Sequence, residues 1–157
     1  MKTFKIDLPL GAIYENLHWK EDLDTDKEHF NDYTTVWVDT AKFISYAEKN
    51  PDIPMIPNVQ AWDDDKRDRY IQGANPNDGI GLLCNPRVHF HDYEYEVIES
   101  KLFGLKKKRS VIKIQYVGFV NGRHRARIAE YLGAAKIPVQ VNKDNVDVLL
   151  KFCSVND

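Results

Sequence analysis

Four consecutive residues, Gly122, Arg123, His124 and Arg125, gather a glycine, two guanidinium groups and an imidazole at one point in the chain. The set suits an anion. Guanidinium groups meet phosphate oxygens through a rigid fork of donors, glycine lets a ligand approach the backbone closely, and histidine titrates near neutral pH and can donate to a phosphate or move a proton. The flanking residues give the cluster an address. Ser110–Val120 (SVIKIQYVGFV) is β-branched, aromatic and apolar on both faces, which predicts a strand, and a central one. Asn121 and Gly122 read as a turn, Arg123 to Leu132 as a helix with the inward stripe Ile128, Ala129 and Leu132, Gly133 as its stop, and Ile137 to Val141 as a further strand. This places the basic residues in the first turn of a helix, where each cation opposes the helix dipole at a cost of about 0.3 kcal/mol or more. A bound anion reverses that sign, because the unbonded N–H groups of the first turn add to the side-chain charge. The prediction is a phosphate site at Gly122, Arg123, His124 and Arg125, set against the plainer reading of a surface helix that is basic at its start. His124 is the candidate catalytic group, as proton carrier, set against a structural hydrogen-bonding histidine.

The segment Phe119–Val141, FVNGRHRARIAEYLGAAKIPVQV, also resembles the signature of the ParB/sulfiredoxin superfamily, in which a strand, a glycine, a His/Arg-bearing turn and a helix ending in Leu-Gly precede an IPV-type strand. Within it, the Gly-Arg-His-Arg turn and the earlier VWVDTAKF segment are most similar to plasmid fertility-inhibition factors, small proteins that block transfer of a rival conjugative element. The resemblance implies a mixed α/β, ParB/sulfiredoxin-like fold, with residues 110–141 as its signature unit and the family's phosphate-binding turn on Gly122, Arg123, His124 and Arg125. It implies nucleotide binding, with NTP hydrolysis or nuclease action as the chemistry open to such a fold; the sequence leaves the cofactor unknown, with ATP and Mg²⁺ as the candidates. Sulfiredoxins carry their reactive cysteine where this chain has Arg123, so sulfinic acid reduction is not implied. ParB proteins add a helix-turn-helix domain after this module, and the residues that follow Val141 are too few for one, so sequence-specific centromere binding is not expected either.

The remaining elements read from the pattern as follows. FKIDLPL is a short edge strand stopped by Pro9, followed by an acidic loop with local helix up to Asp32. Tyr33–Val38 is a strand, and Asp39 or Thr40 caps a helix whose apolar positions are Phe43, Ile44 and Ala47. Pro51, Pro54 and Pro57 make an extended connector, Asp63 to Gln72 a charged surface helix, and Gly73 to Pro86 a glycine- and proline-rich loop that reads as a lid. VHFHDYEYEV alternates as a strand does, while Val97, Ile98, Lys101, Leu102 and Leu105 also fit a helix.

Other chemistry is weaker. His89 and His91 could face a divalent metal from one side of a strand, without a visible third ligand. Asp92, Glu94 and Glu96 could hold Mg²⁺, or face water. Lys106, Lys107, Lys108, Arg109 and Arg127 are the candidate nucleic-acid contacts. Asp63, Asp64 and Asp65 could repel nucleic acid or meet a basic protein. Trp37 reads as core, and Trp19 and Trp62 as packing under loops or as contacts to a partner.

The whole chain bounds these readings. At 157 residues with 43% hydrophobic and 29% charged composition, residues 1–157 form one expected domain. No apolar run reaches the length of a membrane helix, the N-terminus lacks a secretory pattern, and only Cys84 and Cys153 are available for a disulfide, so a cytoplasmic protein is expected. The net charge of −2 hides a segregation: residues 1–50 are acidic, and residues 101–127 hold nine bases and no acid. The first functional reading is a mobile-element protein that binds a nucleotide or DNA phosphate, with hydrolysis as an open question. The second is a non-catalytic inhibitor that binds a host or rival-element protein.

Overall fold

The computed structural model describes residues 2–22, 32–78 and 83–156. The acidic loop expected before Asp32 falls largely on residues 23–31, and part of the expected lid on residues 79–82, outside the described residues.

Seven strands and four α-helices alternate in the described chain: β1 (Thr3–Asp7), β2 (Asn16–Lys20), β3 (Tyr33–Asp39), α1 (Thr40–Ala47), α2 (Asp64–Gly73), β4 (Leu83–Cys84), β5 (Arg87–Lys101), β6 (Lys106–Asn121), α3 (Arg123–Tyr131), β7 (Lys136–Asn142) and α4 (Val146–Cys153). The fold is mixed α/β, as the resemblance implies. The strands form two sheets, one in the order β1-β2-β4 and one in the order β3-β7-β5-β6.

Local chemistry starts the helices. Asp39 caps α1 by accepting from the Lys42 N–H at 2.9 Å, and Asp63 caps α2 by accepting from the Lys66 N–H at 2.8 Å. Asp64 and Asp65 then sit in the first turn of α2, where the helix dipole favours them, and α2 buries no residue at all. Helix α3 differs: its N-cap is Gly122, with no side-chain cap and no acid in the first turn.

The sheet order corrects one expectation. The Ser110–Val120 segment lies in β6, which is the edge strand of its sheet and not a central one. Its apolar residues do not all find cover: Val117 is fully buried and Phe119 packs edge-on against Phe43 of α1, but Val111 and Val120 are more than 60% exposed. The interior positions belong to β7 and β5, and the β7 residues Ile137 to Val141 are all buried between β3 and β5. Pattern alone reads two apolar faces as two covered faces, and here the strand simply runs past the core.

β5 and β6 form one long antiparallel hairpin, paired from Arg87↔Asn121 out to Lys101↔Lys106, so strand is the outcome where helix had also fitted. β5 touches β7 only at Arg87↔Gln140 and Val88↔Val141. The hairpin is therefore anchored at one end and continues as a two-stranded ribbon beyond the sheet. One hydrophobic cluster joins both sheets to α1, α3 and α4, with Trp19, Phe43, Phe90 and Leu149 among its most deeply buried members.

Candidate functional site

The turn between β6 and α3 can only be made by glycine. Gly122 has φ +87°, and a Cβ there would stand 2.7 Å from Pro86 Cα. The close approach that glycine permits is thus taken by the chain's own Pro86. The helix ladder opens with the Ala126 N–H donating to the Gly122 carbonyl at 3.0 Å, so the N–H groups of Arg123, His124 and Arg125 precede the first intrahelical bond.

The three basic side chains of this turn part company. Arg125 turns inward, its guanidinium donating to the Cys84 carbonyl and to Asn121 Oδ1. Asn121 is held in turn: its Oδ1 accepts from the Arg87 N–H at 3.0 Å and its Nδ2 donates to Asp22 at 2.7 Å. Asp22 pairs with Arg87 at 3.3 Å, both side chains 9% exposed, and its backbone N–H donates to Gln140. A buried polar network therefore underlies the turn and ties β4, β5, β6 and β7 together. Burial pulls the Arg125 guanidinium below its usual pKa, against the Cys84 carbonyl and Asp22, which favour the cation.

His124 lies over a different surface. Its ring stacks on Tyr70 of α2 at 5.0 Å and meets Trp62 edge-on at 5.5 Å. Burial first, then the nearby Lys66 and Arg123 charges, hold its pKa below the usual histidine value, so at neutral pH the imidazole is uncharged. It lines a cavity of about 520 Å³ with Arg69, Tyr70, Gly73, Leu83, Gly122 and Arg125. Arg123 does not line it. That side chain lines a second cavity, of about 320 Å³, which also includes Asp52, His89, His91 and Tyr116. Of the predicted phosphate set, three members thus share a cavity and the fourth points elsewhere. Arg69 and Tyr70 complete the first cavity and were not singled out by sequence, because α2 reaches the cavity only through tertiary packing.

The predicted nucleic-acid set also divides. Arg127 is an internal strut rather than a surface contact: it is 3% exposed and donates to Glu48 and Glu130, each at 2.9 Å, and to the Ile56 carbonyl. Lys106, Lys107, Lys108 and Arg109 are exposed, but they sit at the far end of β6 from α3, a strand length of roughly 50 Å. The single basic stretch of the sequence is two separate clusters in space.

His89 and His91 do share a strand face, with ring centroids 4.6 Å apart, and burial and His89 both lower the His91 pKa. Asp92, Glu94 and Glu96 lie on the opposite face, where Gln115 donates to Asp92 and Arg109 pairs with Glu96. Among the described residues, no three His, Cys, Asp or Glu side chains come together in a way that would hold a metal ion. Trp19 and Trp62 are 1% and 7% exposed, so they pack inside and do not serve as partner contacts, and Trp37 is half-buried against Phe4. Asp63 and Asp64 serve α2 itself, as cap and as partner of Arg67.

The plasmid fertility inhibition factor family model matches residues 35–154. The fold is similar to that of a crystal structure of oncogenic suppression activity protein, described as a plasmid fertility inhibition factor and solved as a gold(I) cyanide derivative. The TM-score is 0.60 at 14% identity, covering 98% of this chain and 70% of that one. At that identity the likeness is one of fold. A search of curated proteins found no match. Among the described residues, no helix is long and apolar enough to cross a membrane.

Proposed function

The chain belongs to the plasmid fertility inhibition factor family, and from that premise we propose that it acts as a plasmid-associated inhibitor that binds a nucleotide or nucleic-acid phosphate in the cavity at the start of α3. The observation that carries this reading is the convergence in one cavity of Arg69, Arg125, the uncharged His124 and the uncapped N-terminus of α3. A phosphate seated there receives the backbone N–H groups of the first helical turn and the Arg69 guanidinium. Tyr70 and Leu83 supply apolar wall for a base or sugar. The resemblance of Phe119–Val141 to the ParB/sulfiredoxin signature supports the same ligand class. Hydrolysis needs little covalent chemistry from the protein beyond positioning, charge stabilisation and a proton acceptor, and neutral His124 is the acceptor at this wall.

Arg125 is the wrong residue with which to test this, because it braces the turn from inside. Arg69 is exposed on α2 and can be changed without disturbing the network. The experiment measures binding of a fluorescent ATP analogue and release of phosphate, with and without Mg²⁺, for wild type, Arg69→Ala and His124→Gln. Loss of one charge-assisted contact weakens binding by about tenfold in Arg69→Ala, and His124→Gln retains binding while losing turnover. If the wild type neither binds nor hydrolyses nucleotide, the reading fails, and a non-catalytic inhibitor acting on a host or rival-element protein takes its place.

A further inference from the structure

We propose that the second cavity, between the root of the β5–β6 ribbon and the residues that follow α1, binds a free α-amino acid with an apolar side chain, its carboxylate on Arg123 and its ammonium on Asp52. The two charges line this space of about 320 Å³ from distant segments of the chain. Among the described residues neither has an ion pair within 4 Å, with the other or with any third side chain. Both are thus left for something that enters. Asn50 sets the loop that carries the carboxylate, its Oδ1 accepting from the Asp52 and Ile53 N–H groups at 3.0 Å each. The Gly122 turn sets the guanidinium, by starting α3 at Arg123.

Part of the lining is aromatic. Directly opposed residues of an antiparallel pair share a face, so the register puts His89 with Gly118 and His91 with Tyr116 on one side of the hairpin. The His91 and Tyr116 rings stack at 4.4 Å, and a Cβ on Gly118 would stand 3.1 Å from His91 Nε2, so the bare position lets the imidazole lie down on the strand. Burial first, then His89, hold the His91 pKa down against the pull of Asp52, so at neutral pH this ring adds no charge and brings one donor and one acceptor. Ile53, Met55, Phe119 and Val120 supply apolar wall. Ile53 and Val120 are more than half exposed, and an apolar side chain packed on them takes them out of water. One carboxylate, one guanidinium and an apolar wall select among occupants. A phosphate or a dicarboxylate is drawn to Arg123 but repelled by Asp52. A metal ion finds no set of three ligands among the described residues. A peptide end brings one charge and leaves the other wall charge unmatched. A free amino acid brings both charges on one carbon, with its side chain left for the wall.

Among the described residues none lines both this cavity and the α3 cavity, and the proposal does not depend on the phosphate site. Isothermal titration with L-leucine tests it, beside N-acetyl-L-leucine, which lacks the ammonium, and L-leucinamide, which lacks the carboxylate. Wild type binds leucine, and each analogue binds about tenfold more weakly. Asp52→Asn weakens leucine to the level of N-acetyl-leucine, and Arg123→Gln weakens it to the level of leucinamide. Arg69→Ala, in the wall of the α3 cavity, binds leucine as wild type does. Circular dichroism checks that each variant is folded. No binding of L-leucine, L-methionine or L-phenylalanine at millimolar concentration overturns the proposal. N-acetyl-leucine or leucinamide binding wild type as tightly as leucine does so too, because the site then takes a peptide end and not a free amino acid. Undiminished leucine binding by both Asp52→Asn and Arg123→Gln, or its loss in Arg69→Ala, places the amino acid elsewhere and also overturns it.

Discussion

At the start of α3, Arg125 and Arg127 are held by the chain itself, and at the far end of the β5–β6 ribbon the cations stand in solvent. Arg125 and Arg127 each spend their donors on oxygens of the chain itself, and His124 is kept uncharged by burial. Lys106, Lys107, Lys108 and Arg109 are all exposed, and among the described residues only Arg109 of these has an ion pair within 4 Å, to a half-exposed glutamate. The same residue types therefore do opposite things. Cations buried beside carbonyls and carboxylates fix a turn whose backbone can bind an anion, whereas exposed cations on a ribbon offer their charge directly and lose affinity with salt. A basic stretch in a sequence is not one property but two, separated by whether the fold supplies internal oxygens.

The sharpest way to break this comparison is a matched pair of glycines. Gly122 and Gly104 have nearly equal φ, +87° and +84°, but a Cβ at Gly122 meets Pro86 backbone at 2.7 Å and one at Gly104 meets nothing within 4 Å. Gly104→Ala costs only the left-handed strain, about 1 kcal/mol. Gly122→Ala adds a backbone clash to that strain and costs about 3 kcal/mol or more, which for a chain of this size lowers Tm by about 10 °C. Equal losses in the two variants would mean that the turn is no more tightly built than the ribbon. Next in size is Arg127→Ala, which removes three hydrogen bonds and a packed side chain and costs about 3 kcal/mol. Lys107→Ala stays within about 0.5 kcal/mol of wild type in the same denaturant titration.

Much of this was legible in the chain and some was not, for identifiable reasons. The strand at Tyr33, the Asp39 cap, the surface helix after Asp63 and the helix from Arg123 to its stop at Gly133 follow from local signals, a period, a cap or a glycine, that need no partner to be read. The edge position of β6 was hidden because two apolar faces look the same whether a second layer covers them or the strand outruns the core. The internal role of Arg127 depends on Glu48, far away in sequence, and the buried network beneath the turn joins Asp22, Arg87, Asn121 and Gln140 from four separate segments. Periodicity carries no information about such long-range oxygens. Arg69 and Tyr70 reach the α3 cavity only because α2 lies on its surface, which no spacing within Asp64–Gly73 could announce.

A further effect of the α3 cavity depends on a single proton. Burial holds the His124 pKa below its ordinary value of 6.5, so the folded protein takes up this proton at lower pH than the unfolded chain does. The stability His124 contributes is thus present above pH 6.5 and is lost as pH falls through the folded-state value. A bound phosphate favours the imidazolium and raises that value, so linkage requires nucleotide affinity to increase over the same fall in pH, by up to about tenfold per unit. Acid therefore loosens the empty fold while tightening the ligand. His91 is shifted in the same direction and contributes its own stability slope, so the informative quantity is the difference between wild type and His124→Gln. Isothermal titration with the ATP analogue between pH 8 and 5.5 should show the wild-type affinity rising and the variant's flat, after both are corrected for protonation of the phosphate itself. A wild-type nucleotide affinity as flat as the variant's would remove His124 from the phosphate and leave the cavity to Arg69 and the backbone of α3.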